Sequence, residues 1–157
     1  MALTKVQSVM MVDVYSITTA NTITPTANNT YVLDRWVSQL SQASKLTFQQ
    51  NAGSVTTPAG FPKYLGITSS SAYSVGASDY FILAQNIEGY NTADLAWGTA
   101  NAKTVTLSFQ VYSSLTGTFG GALTNNGQSR SYPFTYTVSS ANTWTTISIT
   151  IAGDTSG

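Results

Sequence analysis

Few residues of this chain are equipped for chemistry. Histidine and cysteine are both absent. Without them no Ser–His–Asp or Cys–His nucleophile can be assembled, no disulfide can form, and zinc sites of ordinary composition are excluded. An enzyme would have to use a carboxylate pair drawn from Asp13, Asp34, Asp79, Glu88, Asp94 and Asp154. Two such groups about 5–10 Å apart in a groove can hydrolyse a glycoside. Six carboxylates scattered singly over 157 residues suggest no such pair, so the chain is read as a non-enzyme with no catalytic residues.

Binding is the better prospect, and its candidates cluster between residues 88 and 97. Glu88 closes an otherwise apolar segment and precedes Gly89. Its carboxylate suits a calcium ion or a sugar hydroxyl; the simpler reading has it bonded to nearby backbone N–H groups or to Lys103. A structural calcium there is the one cofactor the residues suggest. Tyr90 and Trp97 lie in a long polar connection, where an aromatic face can stack on a sugar ring. Anchoring of that connection to the core is the competing reading, because Trp buries a large area. Trp36 and Trp144 flank apolar segments and read as core. Asp34, Arg35 and Arg130 read as solvated or locally bonded charges.

Composition narrows the partners. Charged residues make up 8% of the chain, against roughly 25% in an average domain. The polar surface is built instead from 25 Thr and 20 Ser, a palette suited to flat β surfaces. The net charge is zero, with no basic patch for nucleic acid and no polybasic membrane anchor. Residues 3–15 are apolar but are interrupted by Lys5 and Asp13 and are too short to span a bilayer. Asn28-Asn29-Thr30 is a formal glycosylation sequon, read as a chance match in a Thr-rich chain.

The elements that would position these residues are strands. Val105, Leu107, Phe109 and Val111 alternate with Thr104, Thr106, Ser108 and Gln110, the period of a strand with one buried and one wet face. Tyr132, Phe134, Tyr136 and Val138 alternate in the same way, as do Ile147, Ile149 and Ile151. Residues 46–50, 64–68 and 119–123 are shorter candidates. Residues 80–88 are apolar on both sides, which predicts a central strand covered on both faces. Residues 31–40 fit either a helical stripe or a strand running into a loop, and the β-rich surroundings favour the strand. Gly53, Pro58, Gly60 and Pro62 mark a loop, and Asn126-Gly127 marks a hairpin. The whole predicts an all-β antiparallel sandwich or jelly roll over residues 31–157. Residues 1–30 stand apart. An apolar run over 6–14 and a low-charge stretch with Pro25 read as an extended arm for attachment or oligomerisation, or else as a first edge strand.

Several short motifs carry a family likeness. Asp34-Arg35-Trp36, then Gln85-Asn86-Ile87-Glu88-Gly89-Tyr90, then Leu95-Ala96-Trp97-Gly98 occur in this order. They are followed by the strand Ala102 to Phe109, the turn Thr116 to Phe119, Arg130 to Tyr132 and Asn142 to Trp144. The series resembles a family of phage and virus structural proteins, the tail-fibre, head-fibre and virion surface components that look like carbohydrate-binding-module jelly rolls. The likeness spans residues 31–157. Two departures stand out. Gln110 replaces a usual aromatic, and the Trp and closing strands that follow the segment matching residues 149–157 are not in this sequence. The resemblance implies a virion protein, assembled in the host cytoplasm and active in particle assembly and adhesion to host glycan. The apolar run over 6–14 and the missing closing strands predict a homo-oligomer, by analogy with fibrous virion appendages a trimer, and the arm is expected to join it to other virion proteins. The alternative is a carbohydrate-binding module that anchors a partner enzyme to polysaccharide.

Overall fold

β-Branched and aromatic residues fill the periodic segments, and such side chains fit a pleated, half-buried surface. The computed structural model describes residues 21–33 and 35–156. Among these, strands form at β1 (Thr30–Leu33), β2 (Trp36–Leu40), β3 (Leu46–Gln50), β4 (Leu65–Ser69) and β5 (Phe81–Gln85), then β6 (Val105–Val111), β7 (Gly117–Thr124), β8 (Ser131–Val138) and β9 (Thr145–Ile151). Every pairing between them is antiparallel. Helical structure among the described residues is limited to single 3-10 turns at Ala52–Ser54, Gly89–Asn91 and Ala93–Leu95. The chain is all-β with antiparallel sheets. The apolar run over 6–14, Asp13 and Asp34 lie outside the described residues. The described residues divide into two compact units that part between Asn86 and Ile87.

In the first unit β1, β2 and β5 form one sheet in that order, and β3 pairs with β4. β1 packs against β3, so Val32, Leu33, Trp36, Val37, Leu40 and Phe48 share a core. Ser38 is also fully buried, and its hydroxyl donates to the Thr30 carbonyl at 3.1 Å. Residues 21–29 join this packing. Ile23 and Phe48 exchange two backbone hydrogen bonds of 2.8 Å, and Pro25 is fully buried. The Asn28 amide is engaged too, its Oδ1 accepting from the Leu40 backbone N–H at 2.9 Å and its Nδ2 donating to the Tyr80 hydroxyl.

Two sequence expectations need correction here. The segment read as a strand running into a loop is a hairpin, with Leu33 opposite Trp36 and a second strand following at once. β2 is the strand covered on both faces, with Trp36, Val37, Ser38 and Leu40 all buried. A strand buried on both sides loses its period of two, which is why this one mimics a helical stripe. Residues 80–88 are not central: β5 pairs with β2 at one end of the three-stranded order, and Ile82 is 44% exposed.

In the second unit two ribbons face each other. β6 pairs with β9 from Val105 opposite Ile151 to Val111 opposite Thr145, and β7 pairs with β8 from Gly117 opposite Val138 to Thr124 opposite Ser131. Leu95, Val105, Leu107 and Ile151 form the buried centre, flanked by Trp97, Phe109, Leu123, Phe134 and Ile149. Phe109 bridges the layers by meeting Tyr136 edge-on at 5.1 Å, and Phe119, the cross-strand partner of Tyr136 within its own ribbon, stacks on that ring at 5.7 Å. Burial pushes the Tyr136 phenol above its ordinary pKa. The Phe134 ring lies over Gly121 of the neighbouring strand, so close that a Cβ there would sit 2.5 Å from Cζ. The expected alternation holds in β9, and in β6 it is cleanest over Val105, Thr106 and Leu107. Phe109 is half-buried, and Ser108 on the opposite face pairs its hydroxyl with Ser148 at 3.3 Å.

Candidate functional site

The inner face of the second unit runs out of core at one end, and a groove opens there. Leu123 and Tyr132 are cross-strand partners on that face. Leu123 still packs on the buried centre, whereas Tyr132 is 41% exposed. With Ile151 at the end of β9 and Trp97 from the preceding connection, they help to line an open groove of about 740 Å³. The volume lies within the roughly 300–1,000 Å³ typical of small-molecule sites.

Trp97 enters the groove because the connection coils through two 3-10 turns and then reverses at Ala96, which adopts a left-handed φ of 51°. Its indole Nε1 donates to the Lys103 carbonyl at 2.7 Å, and its side chain packs against the buried centre of the unit. Trp97 therefore anchors the connection to the core and also walls the groove.

The polar side of the groove is a charge pair. Arg130 Nε donates to Asp154 Oδ2 at 2.6 Å and Nη2 to Oδ1 at 2.6 Å, a bidentate fork. Ser156 supports it from both ends, accepting from Arg130 Nη2 at 3.1 Å and donating its backbone N–H to Asp154 Oδ1 at 3.1 Å. The Arg130 guanidinium, and after it the Ser156 N–H, holds the Asp154 carboxyl below its ordinary pKa. Asn125 shapes the loop that delivers Arg130, its Oδ1 accepting from the Arg130 backbone N–H at 3.2 Å and its Nδ2 donating to Ser129 at 2.9 Å. On the other side Gly153 lets the strand exit press against residues 102–103: a Cβ there would lie 2.7 Å from the Lys103 carbonyl oxygen. The Gly98 N–H donates to the Asp154 carbonyl at 2.7 Å and completes the clamp.

The other candidates fall elsewhere. Tyr90, on the Gly89–Asn91 turn, is 99% exposed and does not line this groove. Glu88 precedes the same turn and accepts from Asn91 Nδ2 at 3.1 Å. Among the described residues no three acidic side chains gather into a possible metal site, at Glu88 or elsewhere. Asp79 sits in the first unit, where Gly76, Ser41 and Tyr73 all donate to it. Asp79 and Asp154 are both held below the ordinary carboxyl pKa, the opposite of what a general acid requires. Sequence reasoning passed over Tyr132 and the Arg130–Asp154 fork as site residues. The one available signal was Tyr132 itself, an aromatic that leads an alternating series at the very start of its strand. In comparisons with known proteins, no family model, no curated protein and no solved structure matches the chain.

Proposed function

We propose that the chain is a structural and adhesive component of a virus-particle surface, whose second unit holds glycan in the groove between Trp97 and Tyr132. The observation that carries the adhesive part is that groove, where aromatic walls stand beside a planar charged fork. Sugar rings present the same two kinds of surface, C–H faces that pack on aromatic rings and hydroxyls that bond to forked donors and acceptors. The virion part rests on the motif series from residue 34 to residue 144 and on the nearly uncharged, hydroxyl-rich surface, which lets identical copies pack without repulsion. Residues 21–29 of the predicted 1–30 arm pack into the first unit, so attachment and self-association, as a trimer, fall to its apolar part, residues 6–14. Calcium is not needed for this mode of binding.

The groove equally suits a carbohydrate-binding module that anchors a partner enzyme. Co-purification separates the two readings. A virion component stays with intact, gradient-banded particles at fixed stoichiometry. Recovery of the protein only in the soluble fraction, bound to a polysaccharide-degrading enzyme, decides for the module.

A further inference from the structure

Charge bookkeeping within the groove narrows the ligand class. The charged side chains that line it are Arg130 and Asp154, and they neutralise each other at 2.6 Å. An anion such as a phosphate, a sulfate or a uronate would have to compete with Asp154 for the guanidinium, and a cation would have to compete with Arg130 for the carboxylate. Either exchange leaves one charge of the pair unmatched, at a cost that grows as the ligand excludes water. A neutral polyol faces no such cost. Ser156 and Arg130 already fill Asp154 Oδ1, but one of a pair of adjacent hydroxyls can donate to the lone pair left on Oδ2 while its neighbour accepts from the Nη1 donors that the fork leaves unused. Both partners are partly exposed, with side-chain accessibilities of 45% and 31%, so hydroxyls can reach them. Tyr132 supplies an exposed ring beside them, and Thr124 and Ser131, opposite one another at the end of the ribbon, supply further hydroxyls. A purely apolar ligand would strand all of these polar groups.

We propose that the groove selects a charge-neutral oligosaccharide, read through adjacent hydroxyls by the Arg130–Asp154 fork and stacked on Tyr132. The proposal rests on the glycan-adhesion reading above and adds to it the ligand class and the residues that choose it.

The test is titration of the full chain, by calorimetry and by NMR, with neutral glucose-, galactose- and mannose-based tetrasaccharides and with tetra-uronates of matching linkage. At least one neutral tetrasaccharide is expected to bind, with the uronates at least tenfold weaker. Tyr132→Ala should lose about tenfold or more for the neutral ligand, whereas Tyr90→Ala, outside the groove, should change nothing. Asp154→Asn unpairs the guanidinium, so it should weaken the neutral ligand by about tenfold and strengthen the uronates. Adding Arg130→Gln to that variant should erase the gain for uronates, which separates a charge effect from a merely loosened tail. Uronates that bind the native protein as well as neutral sugars do, or an Asp154→Asn variant with unchanged preference, overturn the charge-neutral proposal while leaving glycan adhesion intact. Failure of every saccharide to bind overturns both.

Discussion

Asp79 gathers donors from three places onto one carboxylate. The Gly76 backbone N–H and the Tyr73 hydroxyl reach Oδ2 at 2.8 Å each, and the Ser41 hydroxyl reaches Oδ1 at 2.7 Å. Each bond favours the ionised form, the Gly76 N–H most, so the folded pKa lies below the ordinary one, and the Tyr73 phenol is pushed upward in return. A group with a depressed folded pKa adds stability that is complete above its unfolded value, about pH 4 for Asp, and fades as pH falls through the folded value. Asp79→Asn is therefore expected to flatten the acid side of the stability curve while leaving its neutral-pH shape alone. Thermal melts of the two proteins between about pH 2 and pH 6 check this; parallel acid limbs would refute it. Trp97 and Tyr90 show the limit of reading single residues. Both are aromatics in one polar connection, and only the backbone reversal at Ala96 decides which of them lines the groove.

Strands differ in how plainly their sequences announce them. β6, β8 and β9 each bury one face, so their alternation was legible, and the Asn126-Gly127 signal does mark the β7–β8 hairpin. That connection is longer than a two-residue turn: Asn125 closes it on Arg130, and Gln128 takes the left-handed conformation. β2 was not legible as a strand of its own, because burial on both faces erased the period, and β5 was misplaced for the converse reason. The groove was hidden because its fork joins positions 24 residues apart, brought together only once β8 and β9 are in place. Exposure now ranks the β6 substitutions. Leu107→Ala, at 6% exposure, should cost about 2–5 kcal/mol, and half-buried Phe109→Ala should fall toward the low end of the range for aromatic truncation, about 3 kcal/mol. Thr106→Ala should stay within about 0.5 kcal/mol. Urea midpoints of the three variants test that order, and equal costs for Thr106 and Leu107 would mean the assigned faces are wrong. Gly153→Ala forces a methyl against backbone that cannot yield, at a cost of about 1–3 kcal/mol. It should also weaken saccharide binding by dislodging Asp154, a coupling that a purely structural glycine would lack.

Each unit of the molecule has its own core, one around Phe48 and Val32 and the other around Leu107 and Ile151. The three tryptophans divide between them, Trp36 in the first and Trp97 and Trp144 in the second. Single-tryptophan variants therefore report on the units separately. Phe48→Ala is expected to lower the denaturation midpoint seen at Trp36 and leave those at Trp97 and Trp144 in place, while Leu107→Ala does the reverse. Midpoints that always move together would mean the units unfold as one.

The self-cancelling fork of Arg130 and Asp154 has a kinetic consequence. A pair of opposite charges this close projects little field, and at 0.1 M salt whatever remains is screened within about 10 Å. A neutral ligand is thus not drawn in from afar, and its encounter rate is that of undirected diffusion. Dissolved ions then have almost nothing to shield. If the groove holds sugar as proposed, retention is set by how slowly the sugar leaves, and a surface built from such grooves should grip as firmly in brine as in fresh water.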